Sequence, residues 1–103
     1  MSKSILHDYK KFDCYLCRMF GDYSIKGGMQ EHHIFGGPNR GLSEKYGLKV
    51  KLCFKHHGQR GPDDVHRPDL NGYSDLLKQK GQRAFEEKYS HELFMEVFGK
   101  NYL

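Results

Sequence analysis

The sequence predicts a small α+β domain organised around a structural metal, and three observations carry that prediction. Cysteine and histidine fall into two matched half-sites, Cys14-x-x-Cys17 and Cys53-x-x-His56. Between them lie two short stretches of strand character set among glycine-rich turns, and after Ser74 the apolar spacing becomes helical. A chain of 103 residues has room for one compact domain. Its apolar content of 37%, with no Trp, makes a thin core, so a further source of stability is expected.

Residues 1–12 lack periodicity and are read as a loosely held arm, leaving 13–103 as the single domain. Eight of the twelve glycines fall between Gly27 and Gly61, marking a compact, turn-rich middle. Within it, Met29 to Phe35 and Leu48 to Leu52 read as the two strands of a short β-hairpin with a wide loop. In the second strand Leu48, Val50 and Leu52 point inward, and Lys49 and Lys51 point outward. Cys53 to His57 can begin a helical turn that Gly58, Gly61 and Pro62 stop, and 58–72 is an irregular linker. Ser74 then caps a helix with Leu76, Leu77, Ala84, Phe85 and Tyr89 near one face. Ser90 caps a second helix carrying Leu93, Phe94, Val97 and Phe98, which Gly99 ends.

Three cysteines are an odd number, which disfavours a disulfide framework. Two ligands three residues apart on a tight turn can face one ion, and two such turns complete a tetrahedron of three thiolates and one imidazole. Zn²⁺ suits that donor set. Bound by Cys14, Cys17, Cys53 and His56, it would turn binding free energy into folding free energy. The alternative, three buried free thiols acting as small apolar groups, leaves the matched spacing unexplained. No apolar run approaches the roughly 18 residues of a membrane span, and the first residues are too polar for a signal peptide, so a soluble, cytoplasmic protein is expected. Seventeen Lys and Arg against thirteen Asp and Glu give a formal charge of +4, which favours polyanionic partners.

The remaining histidines carry the functional expectation. His32 and His33 are adjacent on the first strand, and His57 directly follows a zinc ligand. His57, His66 and one of the strand histidines can therefore face a second site. Taken together, Cys14-x-x-Cys17, Glu31-His32-His33-Ile34-Phe35-Gly36-Gly37, Leu52-Cys53-x-x-His56-His57 and Val65-His66 resemble the HNH endonucleases of the ββα-metal superfamily, in particular the small ones encoded by phages and prophages. The resemblance runs from Cys14 to Leu103.

The resemblance implies a ββα-metal fold and metal-dependent hydrolysis of DNA phosphodiester bonds, by nicking or double-strand cleavage. It makes His33 the general base, and His32, His57 and, further along, His66 the ligands of one catalytic divalent ion: Mg, Mn, Ni or Zn. Such families usually carry an Asn at the start of the second strand, where this chain has Leu48, and Asn39 is the nearest alternative source of that amide. This chemistry needs a proton acceptor for water and a cation against the phosphate. An imidazole, with a reference pKa near 6.5, supplies the first. Arg40 and Asn39 in the Gly36-Gly37 loop, with Lys49, Lys51 and Lys55 around the second strand, are the expected DNA contacts. The missing Asn also motivates an alternative, a catalytically inactive, zinc-stabilised DNA-binding module; a further one is an accessory whose helices at 74–98 dock on a phage packaging or replication protein.

Overall fold

A computed structural model describes residues 3–6, 14–21 and 28–103. Two antiparallel strands, β1 (Met29–His33) and β2 (Lys49–Cys53), form a hairpin in which His33 faces Lys49, His32 faces Val50 and Met29 faces Cys53. Among the described residues four helices accompany it: α1 (Tyr15–Phe20), α2 (Arg40–Tyr46), α3 (Tyr73–Lys88) and α4 (His91–Phe98). The expected small α+β class, with a two-stranded hairpin and C-terminal helices, is borne out. Among the described residues no helix is long and apolar enough to cross a membrane.

The core lies between the hairpin and the C-terminal helices. Leu77, Gly81, Gln82 and Phe85 of α3 and Phe94 and Phe98 of α4 are buried, and Phe35 enters their ring cluster 4.7 Å from Phe98 and 5.8 Å from Phe94. The buried Gln82 amide closes the C-terminal end. Its oxygen accepts from the Tyr102 backbone N–H at 2.7 Å, and its nitrogen donates to Asn101 Oδ1 at 2.8 Å. A buried amide is tolerable here because each of its ends has a partner.

Ser90 caps α4 as expected, accepting from Leu93 N–H at 3.0 Å, and Gly99 stops it at φ 73°. The first C-terminal helix starts one residue before the expected Ser74, with Gly72 as its cap, and Tyr89 lies exposed rather than on the buried face. The first strand ends at His33, before Ile34 and Phe35.

Larger differences fall in the hairpin loop and at the first cysteines. The loop contains a 3₁₀ turn at Gly37–Asn39 opened by Pro38, then α2, which ends at Gly47 with φ 70°. At seven residues α2 repeats its apolar positions once, as Leu42 and Tyr46, too few to register as a period. A Cβ on Gly47 would stand 2.2 Å from the Lys3 carbonyl oxygen, so backbone approach as well as φ requires glycine there. That approach is part of how residues 3–6 of the expected arm lie against the hairpin. Ile5 N–H donates to Gly47 O at 2.9 Å, and the Ser4 hydroxyl donates to Lys49 O. The rest of the arm lies outside the described residues, as does Gly27.

The alternation expected in β2 is corrected at Lys49, which is 2% exposed where it is expected to meet solvent, while Lys51 on the same face stays half-exposed. The Lys49 ammonium lies 2.7 Å from Glu44 Oε2 and 3.4 Å from Glu31 Oε2. Burial opposes the charge, but the two carboxylates outweigh it and raise Lys49 above the ordinary lysine value.

Candidate metal centres

The two half-sites converge. Cys14, itself in an extended conformation, caps α1, its Sγ accepting from Cys17 N–H at 3.5 Å, so one helical turn presents both thiols. Cys53 ends β2, and the turn closed by His56 N–H donating to Cys53 O at 3.0 Å brings His56 back over it. Cys14, Cys17 and Cys53 Sγ lie 3.3, 3.5 and 3.3 Å from His56 Nδ1, and Cys17 Sγ lies 3.6 Å from Cys53 Sγ. Tetrahedral zinc with Zn–S near 2.3 Å and Zn–N near 2.05 Å has S···S edges of about 3.8 Å and S···N edges of about 3.6 Å. The donor atoms thus stand where one zinc could be held.

All four residues are buried. Burial pushes the Cys14 and Cys17 thiols above the ordinary value, so bare thiolates are disfavoured in this core, and a bound dication offsets that cost.

A second cluster opens beside the first. His32, His57 and His66 each bring one ring nitrogen within 4.8 Å of the others. Their ring centroids are 5.3 Å (His32–His57), 5.5 Å (His32–His66) and 4.8 Å (His57–His66) apart. Rings sharing one ion at a metal–nitrogen distance of about 2.1 Å stand roughly 5 Å apart, so these three fit a divalent cation. Unlike the thiolate cluster, this one is graded: His32 is buried, His57 half-buried and His66 exposed. Burial first, then the neighbouring His57 and His66 rings, lower His32 to about 3, which keeps it in the neutral form a metal ligand requires. Burial and His66 lower His57 as well.

Two residues that the sequence reading did not single out hold this cluster. Gln30, two positions before His32 and on the same face of β1, accepts through Oε1 from His57 Nδ1–H, leaving Nε2 with the lone pair. Asp64 is fully buried and organises the segment from His57 to His66. Its carboxylate accepts from the backbone N–H groups of Gly58 (2.9 Å), Arg60 (2.7 Å) and His66 (2.8 Å). Burial opposes this charge, but the three donors prevail and hold the carboxyl below its ordinary range. An Asx-type turn of this kind has no distinctive spacing, which is why 58–72 reads as an irregular linker.

His33 points to the other face of β1. Its Nε2 donates to Glu44 Oε1 at 2.9 Å, with Glu31 Oε1 at 3.8 Å, so Nδ1 is the nitrogen left to accept a proton. Glu31, His33 and Glu44 also form a metal-like group by spacing, but the Lys49 ammonium already supplies the cation between the two carboxylates.

Despite pointing apart, His32 and His33 reach one cleft of about 410 Å³ that also takes in His57, His66, Arg40 and Lys78. Of the expected DNA contacts, Arg40 therefore reaches the cleft. Lys49 is buried in its ion pairs, Lys55 lies 3.7 Å from Asp63, and Lys51 faces Glu31 across the ladder. Asn39 ends the 3₁₀ turn and makes no side-chain cap to α2. Leu48, where an Asn was looked for, is fully buried in the core. Ser43 instead ties the segment after the histidine pair, its hydroxyl accepting from Phe35 N–H and donating to Phe35 O, both at 2.9 Å.

No protein-family model, curated protein or solved structure matches the chain.

Proposed function

We propose that the chain is a metal-dependent endonuclease of the HNH type, with a ββα-metal arrangement built from β1, β2 and the turn bearing His56 and His57. DNA is its substrate, and a bacterial cytoplasm infected by or carrying a phage is its setting. The observation that carries this reading is the meeting of the His32, His57 and His66 rings with His33 in one cleft. In that cleft His33 Nδ1 takes a proton from the attacking water while Glu44 fixes the ring through Nε2. His32, His57 and His66 would hold one divalent cation, which when bound acts as a Lewis acid toward the phosphate and the departing oxygen. Gln30 sets the His57 tautomer, and Ser43 does the loop-tethering that an Asn does in the families this chain resembles. Zinc at Cys14, Cys17, Cys53 and His56 keeps the base and its neighbours in register.

The test is conversion of supercoiled plasmid to nicked or linear DNA with Mg²⁺, Mn²⁺ or Ni²⁺. His33→Ala should slow cleavage by roughly 10²–10⁴ while zinc content and circular dichroism stay as in wild type. Cleavage by His33→Ala at the wild-type rate would remove His33 from the mechanism. Salt-dependent DNA binding without cleavage under any of these metals would favour the second reading, an inactive DNA-binding module, which the burial of Leu48 in place of an amide supports.

A further inference from the structure

Three cations near the hairpin and the loop after it are held by carboxylates. Lys49 has Glu31 and Glu44, Lys55 has Asp63, and Arg67 is held by Asp69 at 2.8 Å. Arg40 and Lys78 instead line the histidine cleft, and among the described residues neither is paired with a carboxylate. They arrive from distant parts of the chain, Arg40 from the first residue of α2 and Lys78 from the second turn of α3. Ser74, one helical turn before Lys78, lines the same cleft, so this face of α3 is turned toward the histidines. Lys78 is also steered: its ammonium stands 5.7 Å over the Tyr102 ring, and Tyr102 is pinned by Gln82. The carboxylate at the cleft wall, Glu31, is engaged by Lys49 and so does not neutralise either cation.

We propose that Arg40 and Lys78 form a phosphate clamp, one arm from α2 and one from α3, that grips the strand phosphates flanking the one presented to the histidines. This assigns Lys78 a binding role beyond the residues named above, and makes the ligand a polynucleotide strand rather than an isolated phosphate. The identity of the strand rests on the nuclease reading, but the clamp is read by binding alone. A cleft of about 410 Å³ has room for little more than one nucleotide unit, so neighbouring phosphates must lie at its rim.

The experiment is fluorescence anisotropy of a fluorescein-labelled DNA duplex, without added catalytic metal, over a series of salt concentrations. Arg40→Gln and Lys78→Gln should each weaken binding about fivefold to tenfold and each lower the slope of log Kd against log salt by about 1. Lys78→Arg should restore both. Lys80→Gln, an exposed cation of the same helix outside the cleft lining, should leave the slope unchanged. An unaltered slope in Arg40→Gln or Lys78→Gln overturns the clamp, as does an equal fall in Lys80→Gln, which would mean a diffuse field. Displacement of the duplex by inorganic phosphate as readily as by unlabelled duplex, compared at equal phosphate, overturns the strand assignment. Failure of plasmid cleavage with the slope changes intact removes the nuclease reading and leaves the clamp standing.

Discussion

The two histidine-bearing clusters are neighbours in sequence and opposites in construction. Cys14, Cys17, Cys53 and His56 are all buried and leave no side of the tetrahedron toward solvent, whereas His32, His57 and His66 run from buried to exposed across one cleft. A closed shell of four donors suits a metal that folds the chain, and three imidazoles open on one side suit a metal that must meet a substrate. The difference teaches that burial, more than donor identity, separates the structural centre from the candidate reactive one.

That contrast breaks most sharply at the thiolates. Cys53→Ser should abolish the folded state, read as loss of helical circular dichroism and of bound zinc. Structural zinc contributes roughly 10–16 kcal/mol in small domains, more than the about 5–15 kcal/mol that separates folded from unfolded chains. Chelation of wild type should give the same spectrum. A folded, zinc-free Cys53→Ser protein would place the stability in the apolar core instead.

Lys49→Met comes next, at about 2 kcal/mol by urea denaturation. Removing one partner of a buried ion pair costs roughly 3–5 kcal/mol, and the half-exposure of Glu31 and Glu44 reduces it. Because the folded-state value of Lys49 is raised, its contribution is complete below 10.5 and lost as pH rises through that raised value. The stability gap between wild type and Lys49→Met should therefore be flat across neutral pH and close on the alkaline side of 10.5.

Gln30→Ala tests the open cluster without touching the closed one. Loss of a residue that orients a metal-bound histidine costs about tenfold or more in metal affinity, so Co²⁺ or Mn²⁺ titration should show that weakening while zinc content is unchanged. The smallest effect is a gain. A Cβ at Gly81 would make ordinary contacts of 3.4–3.5 Å with Ile34 and Phe35, so Gly81→Ala should raise stability by about 0.5–1 kcal/mol through helix propensity, with neither cluster altered.

How legible all this is in the sequence follows the length scale of each feature. The spacings in Cys14-x-x-Cys17 and Cys53-x-x-His56, and the Ser90 cap with Gly99 stop, are local patterns that the structure reproduces. α1 and α2 are one to two turns long and held by their surroundings, so no periodicity announces them. Lys49 misleads because alternation sees only the strand, whereas Glu44 of α2, from outside the strand, and Glu31 of β1 draw this one ammonium inward. The approach of His57, His66 and a strand histidine is offered by their placement around the hairpin, and the choice of His32 over His33 as the ligand comes only with the resemblance to HNH nucleases. Gln30, Asp64 and Lys78 carry no motif. Their roles come from partners 27, 6 and 24 positions away: His57 for Gln30, the Gly58 amide for Asp64 and the Tyr102 ring for Lys78.

A single peptide bond joins His56 to His57, and it makes the two centres hierarchical. Seating His56 among the thiolates delivers His57 to the cleft, and Val65 N–H, donating to His56 O at 2.8 Å, brings His66 after it. On the two-metal reading proposed above, metallation has an order: the sulfur-rich pocket loads first, because until it does the imidazole trio has no fixed address. An apoprotein reconstituted stepwise would acquire its labile ion last and surrender it first.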